Sequence, residues 1–234
     1  MREELAAKRI SEKSLKSLER LENNYRMIYI IIMSAPLILA MEILVTQQNA
    51  ITGVLQFKDF SLVNWTDVVM FFVFLSLYIR FFLGDLRYLD MKYLEKQNAD
   101  TFMKRYHPFS RMLEFFADIL HAVSFYVLAA AITDFHLFYI VIVFLLVLNA
   151  LWLFITHLTS DRFDSSRTES KSRMIWMINN AATAFVLLVC ERYFADANQS
   201  FLLISFVAIM IMNSIVDFYF SRHLYFPKIE EIEE

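Results

Sequence analysis

The chain has 234 residues, of which 58% are apolar and 20% are charged, with a mean hydropathy of +0.46 and a net charge of −3. This composition excludes a soluble globular domain, because too few polar residues remain to cover so large an apolar interior. The single cysteine excludes a disulfide framework and any metal site built from cysteine pairs, and the near-neutral charge gives no reason to expect a nucleic-acid partner.

The first 26 residues are polar and mix Lys and Arg with Glu. Leu18, Leu21 and Tyr25 fall on one face of a helix at this spacing. We therefore predict a cytoplasmic amphipathic helix over residues 1–26, lying on the anionic inner surface of the membrane with its basic residues on lipid headgroups. The alternative is a short helix that associates between protomers.

Six apolar runs follow, each of about 20 residues, which is the length a helix needs to cross ~30 Å of hydrocarbon. They predict an all-α membrane bundle with six transmembrane helices over residues 27–45, 65–83, 112–132, 135–156, 174–191 and 201–220.

The segments between the predicted spans are polar. Residues 84–110 form the longest connector and are expected to be helical, with a break at Gly84 and an end at Pro108. Residues 221–234 form an acidic tail.

The positions of Lys and Arg predict the orientation of the bundle. Nineteen of the 22 lie in the N-terminal tail, the C-terminal tail and the two connectors on the same side. Only Lys58 and Arg192 lie on the other side, and Arg80 lies inside the second span. The positive-inside rule therefore places both termini in the cytoplasm, for a multi-pass protein of the cell membrane.

Polar side chains inside the spans are the main indication of a functional site, because such residues are costly in hydrocarbon. At ~1.5 Å per residue, they lie between about 3 and 14 Å from the predicted cytoplasmic boundary, whereas the external half is nearly free of them. They are Arg80, Glu114, Asp118, His121, Asn149, Asn179, Asn180, Asn213 and Asp217.

We interpret four of these residues, Glu114, Asp118, His121 and Asp217, as an ion pathway or proton-binding site. Glu114, Asp118 and His121 share one helix face at i, i+4 and i+7. Arg80 is expected to pair with either Asp118 or Asp217 as part of a polar network with Asn149, Asn179, Asn180 and Asn213. The alternative is that the whole polar layer only holds the helices together.

These residues favour an oligomeric ion channel that passes cations through an acidic cytoplasmic vestibule. A proton-coupled secondary transporter is the alternative, and a third hypothesis is a scaffold or signalling effector that binds a cytoplasmic protein. We expect no enzyme activity, no cofactor and no bound metal, because no complete catalytic or metal-binding motif occurs. The expected partners are the lipid bilayer and further copies of the chain.

Overall fold

The computed structural model of the chain describes residues 2–46, 65–93, 108–160, 167–194 and 199–222. Most of the predicted acidic tail and residues 94–107 of the predicted connector lie outside these ranges. The described residues form six helices and no strand. They are α1 (Arg2–Thr46), α2 (Trp65–Tyr93), α3 (Pro108–Ala130), α4 (Phe135–Ser160), α5 (Arg167–Phe194) and α6 (Gln199–Phe220).

Each helix contains a stretch that is long and apolar enough to cross a membrane. These stretches are Asn23–Thr46, Trp65–Leu86, Met112–Ala130, Phe135–His157, Met174–Phe194 and Ser200–Phe220. The prediction of an all-α bundle with six membrane-spanning helices is confirmed, and the chain is an integral membrane protein.

Two helices continue where the sequence suggested a change of structure. The polar N-terminal segment and the first span form the single 45-residue helix α1, which is about 68 Å long and includes Pro36. The predicted break at Gly84 is wrong, because α2 runs through this residue to Tyr93. Pro108 opens α3, a position at which its missing N–H costs no helical hydrogen bond.

Helix α2 lies at the centre of the bundle. It contacts α1, α3, α4 and α6, while the outer helices contact one another in the order α1, α3, α4, α5 and α6. Its span is accordingly the most buried, at 56%, compared with 22% for the span of α5. A polar side chain on α2 can therefore reach most of the other helices.

The outer faces of the helices are apolar. Phe72, Phe185 and Ile204 are each more than 60% exposed in the isolated chain. Such side chains contact lipid in the bilayer, where their exposure has no hydrophobic cost.

Candidate functional site

Arg80 is the centre of a buried polar network that we call the Arg80 clamp. Its Nε lies 2.7 Å from Oδ2 of Asp217 on α6. Nη1 donates a hydrogen bond to Oδ1 of Asn213, also on α6, and Nη2 donates one to Oδ1 of Asn180 on α5. The guanidinium thus joins α2 to two other helices through one ion pair and two amide hydrogen bonds.

Amide side chains extend the Arg80 clamp to α4 and along α5. Nδ2 of Asn180 donates to Oδ1 of Asn149 at 2.7 Å, and Nδ2 of Asn213 donates to Oγ1 of Thr183 at 2.8 Å. Asn179 donates from Nδ2 to the backbone carbonyl of Asn213 at 3.0 Å. The clamp therefore consists of Arg80, Asn149, Asn179, Asn180, Thr183, Asn213 and Asp217.

The depth of burial makes this network structurally important. Arg80 is 2% exposed and Asp217 is fully buried. A lone charge at such a position would be strongly unfavourable, so each member of the ion pair requires the other. Asn213 and Asp217 lie one turn apart on α6, which lets one guanidinium contact both.

A second polar region lies on α3. Its buried face begins with Glu114, Asp118 and His121, which we call the acidic stripe after its two carboxylates. Glu114 and His121 are 6% and 2% exposed, and Asp118 is half-buried. The same face continues as Phe125 and Leu128, both fully buried. The face thus changes from acidic to apolar near the middle of the span.

Two tyrosines of α1 bind carboxylates of the neighbouring helices. The Tyr25 hydroxyl donates to Oδ2 of Asp118, and the Tyr29 hydroxyl donates to Oδ2 of Asp85 on α2 at 2.9 Å. Because the two tyrosines lie one turn apart, they bring Asp85 and Asp118 to the same part of α1. We call Tyr25, Tyr29, Asp85 and Asp118 the tyrosine–carboxylate group.

The tyrosine–carboxylate group is partly accessible from outside the bundle. Tyr25, Tyr29 and Asp118 line a narrow crevice between α1 and α3, together with Phe115 and Ile119. Two acidic side chains near each other repel when both are ionised, and a bound proton or cation relieves that repulsion.

A cluster of aromatic rings closes the bundle above His121. The His121 ring lies 5.9 Å from the ring of Phe81, which lies 5.3 Å from that of Phe125. Tyr78 and Phe74 also contact Phe125, at 5.9 and 6.2 Å between ring centroids. All four aromatic residues are at most 6% exposed. We call Phe74, Tyr78, Phe81 and Phe125 the aromatic cluster.

Gly84 permits a close contact between α2 and α5 beside the tyrosine–carboxylate group. A Cβ atom added here would overlap the indole ring of Trp176, with Cζ2 and Cζ3 at 3.2 and 3.3 Å. The glycine therefore seats the indole directly against the backbone of α2, next to Asp85.

The structure thus separates the predicted polar layer into two regions. Asp217 joins the Arg80 clamp and is paired with Arg80, one of the two partners that the sequence left open. Glu114, Asp118 and His121 lie on the buried face of α3, where Asp118 binds Tyr25.

Sequence reasoning missed three residues of the site: Tyr25, Tyr29 and Asp85. The spacing of Tyr25 and Tyr29 places both on one face of α1, but it does not indicate which helices that face contacts. Within the part of the chain that the structure describes, no three His, Cys, Asp or Glu side chains are grouped as a metal site requires.

No protein family, curated protein or solved structure shows significant similarity to the chain.

Proposed function

We propose that this membrane protein is an oligomeric cation channel, with the tyrosine–carboxylate group and Glu114 forming an acidic vestibule on the cytoplasmic side. Asp118 and Asp85, both inside membrane-spanning helices, bind tyrosines one turn apart on α1, and this convergence of two acids is the observation that carries the proposal. Acidic side chains in such positions attract cations and repel anions.

The contacts of Arg80 support this assignment. Its three hydrogen-bonding nitrogens contact Asp217, Asn180 and Asn213. Its positive charge therefore compensates an acid of the Arg80 clamp. We assign a structural role to the clamp and an ion-attracting role to the acidic residues of α2 and α3.

The packing of the single chain is the reason for proposing an oligomer. The acidic stripe of α3 ends below Phe125, where the aromatic cluster fills the space between α2 and α3. The crevice beside Asp118, by contrast, opens between α1 and α3. Copies of the chain arranged around a symmetry axis would bring several such crevices to one central path.

The orientation completes the proposal. Because 19 of the 22 Lys and Arg lie on one side, both termini face the cytoplasm. The protein lies in the cell membrane, and its vestibule opens to the cytoplasm. Acidic residues at this level concentrate cations at the cytoplasmic entrance of the path. No catalytic role is assigned to any residue.

A proton-coupled transporter is the second candidate, and the tyrosine–carboxylate hydrogen bonds favour it. The Tyr25 and Tyr29 hydroxyls each donate a hydrogen bond to one of the two acids, so a change in the protonation of either acid alters the contact between α1 and its neighbours. Such a protein would show saturable uptake of its substrate, driven by a pH gradient. A channel would conduct without that gradient.

Potassium flux from liposomes that contain the purified protein tests the proposal. We expect Asp118→Asn to lower the flux about fivefold, because a unit charge about 4 Å from a cation contributes about 1 kcal/mol even in water. Glu114→Gln should act in the same direction.

Asp134→Asn is the matched control, since Asp134 is an exposed residue before α4 whose Oδ1 accepts a hydrogen bond from the Leu137 N–H. Asparagine caps a helix as well as aspartate does, so this variant should conduct normally. Flux that is unchanged in both Asp118→Asn and Glu114→Gln would show that the acidic residues are not on the path. A folded wild-type protein with no flux would favour the effector hypothesis.

A further inference from the structure

His121 combines complete burial with unused hydrogen-bonding capacity. It lies nine residues from each end of the span Met112–Ala130, and it is 2% exposed. The Ala117 carbonyl is nearby, but neither Nδ1 nor Nε2 makes a hydrogen bond of ordinary geometry to a described residue. The imidazole therefore has two polar atoms to satisfy in the middle of the membrane.

Buried polar atoms in proteins are almost always satisfied, and ordered water is the usual partner where the protein supplies none. Water needs a polar route, and the acidic stripe gives one. Glu114 and Asp118 precede His121 on the same face of α3, towards the predicted cytoplasmic end. Beyond His121, Phe81 and Phe125 are apolar and closely packed, so the route ends there.

We propose that His121 is a hydrated proton-binding site at the deep end of the acidic stripe, and that its protonation controls the cation site at Asp118. A hydronium ion of the hydrating water gives up a proton, so that one O–H bond breaks as an N–H bond forms on the imidazole. The resulting positive charge lies one turn from Asp118 and competes with a cation there. The control of the cation site rests on the proposed channel function, whereas hydration and protonation of His121 do not.

The ionisable groups around His121 are consistent with this coupling. The two ionisable residues that precede His121 on its own face of α3 are acidic, and the ionisable residues of α4 lie in its first two turns and its last. The groups are Glu114 and Asp118 on α3, Tyr78, Arg80 and Asp85 on α2, Tyr25, Arg26 and Tyr29 on α1, and His136, Tyr139 and His157 on α4.

Cysteine accessibility tests the hydration. The full chain carrying Cys190→Ala receives either His121→Cys or Val123→Cys and is treated in liposomes with a water-soluble thiol reagent. Val123 lies at nearly the same depth but is 54% exposed on the lipid-facing side of α3. We expect the thiol at 121 to react roughly tenfold faster, because only a hydrated thiol ionises to the reactive thiolate.

Equal or slower reaction at 121 would overturn the proposal. If His121→Cys does not fold, Ala117→Cys replaces it, because Ala117 is a small buried residue one turn closer to the entrance. The comparison is then with Phe116→Cys, because Phe116 is 57% exposed at the depth of Ala117, and it decides whether water follows the acidic stripe into the bundle.

The pH dependence of potassium flux tests the control of the cation site. Wild-type flux should fall on acidification, and His121→Gln should move the midpoint of that fall by about half a pH unit or more. An unchanged midpoint would refute the control by His121. A wild-type protein without flux would refute the channel function, and the cysteine comparison would still decide the hydration of His121.

Discussion

Removing the positive charge of the Arg80 clamp should strongly destabilise the bundle. Arg80→Gln leaves Asp217, which is fully buried, without the cation 2.7 Å from its carboxylate. It also removes the donors that serve Asn180 and Asn213. Breaking a buried ion pair from one side typically costs about 3–5 kcal/mol.

A double substitution separates the cost of an uncompensated charge from that of lost packing. Asp217→Asn alone leaves Arg80 as a buried cation and should also cost about 3–5 kcal/mol. The combination Arg80→Gln with Asp217→Asn leaves no buried charge, and two amides can hydrogen-bond to each other. The double variant should therefore be more stable than either single variant.

Ser76 provides a control for the same pair of helices. Its hydroxyl lies 3.2 Å from that of Ser214, so it also joins α2 to α6, but without charge. Hydrogen bonds between membrane helices contribute about 0.6 kcal/mol on average, and Ser76→Ala should cost about that much.

Unfolding of the purified protein by sodium dodecyl sulfate in mixed micelles, followed by circular dichroism, measures these free energies. If Arg80→Gln costs no more than Ser76→Ala, the clamp does not hold the helices together. Additive losses in the double variant would show that Arg80 and Asp217 do not act as a pair.

Three further substitutions test individual contacts. Gly84→Ala should cost about 1–3 kcal/mol in the same unfolding assay, because the new methyl group overlaps Trp176, and Trp176→Leu in the Gly84→Ala background should recover part of the loss. Tyr29→Phe removes the 2.9 Å hydrogen bond to Asp85 and should cost about 0.6 kcal/mol of stability. Equal stability of the wild-type protein and Tyr29→Phe would show that this bond contributes nothing. Asp134→Ala removes the cap of α4 and should cost about 1 kcal/mol, whereas Asp134→Asn should cost little.

The sequence alone predicted the six helices because charge blocks separate apolar runs of membrane-spanning length. It also placed Arg80, Asn180, Asn213 and Asp217 at one level, because depth follows directly from distance along a helix. The sequence did not decide whether Asp118 or Asp217 pairs with Arg80. That choice depends on α6 lying against α2, and neighbour relations between helices are not encoded in their lengths.

Gly84 and the tyrosines of α1 show why the remaining features were missed. A glycine at the end of an apolar run suggests a break, but here it accommodates Trp176 within a continuous helix. Tyrosines near a membrane surface commonly lie among headgroups, so Tyr25 and Tyr29 gave no reason to expect contacts with Asp118 and Asp85. In each case the deciding contact is made by a residue far away in the chain.

The reversal potential of currents through the purified protein in a planar bilayer tests the proposed channel most directly. With a tenfold gradient of potassium chloride, we expect the wild-type protein to reverse close to the potassium equilibrium potential, about 59 mV from zero. Asp118→Asn should reverse closer to zero, because the vestibule attracts cations less strongly. Currents that reverse near zero or towards the chloride potential, or a folded protein that passes no current, would contradict the account.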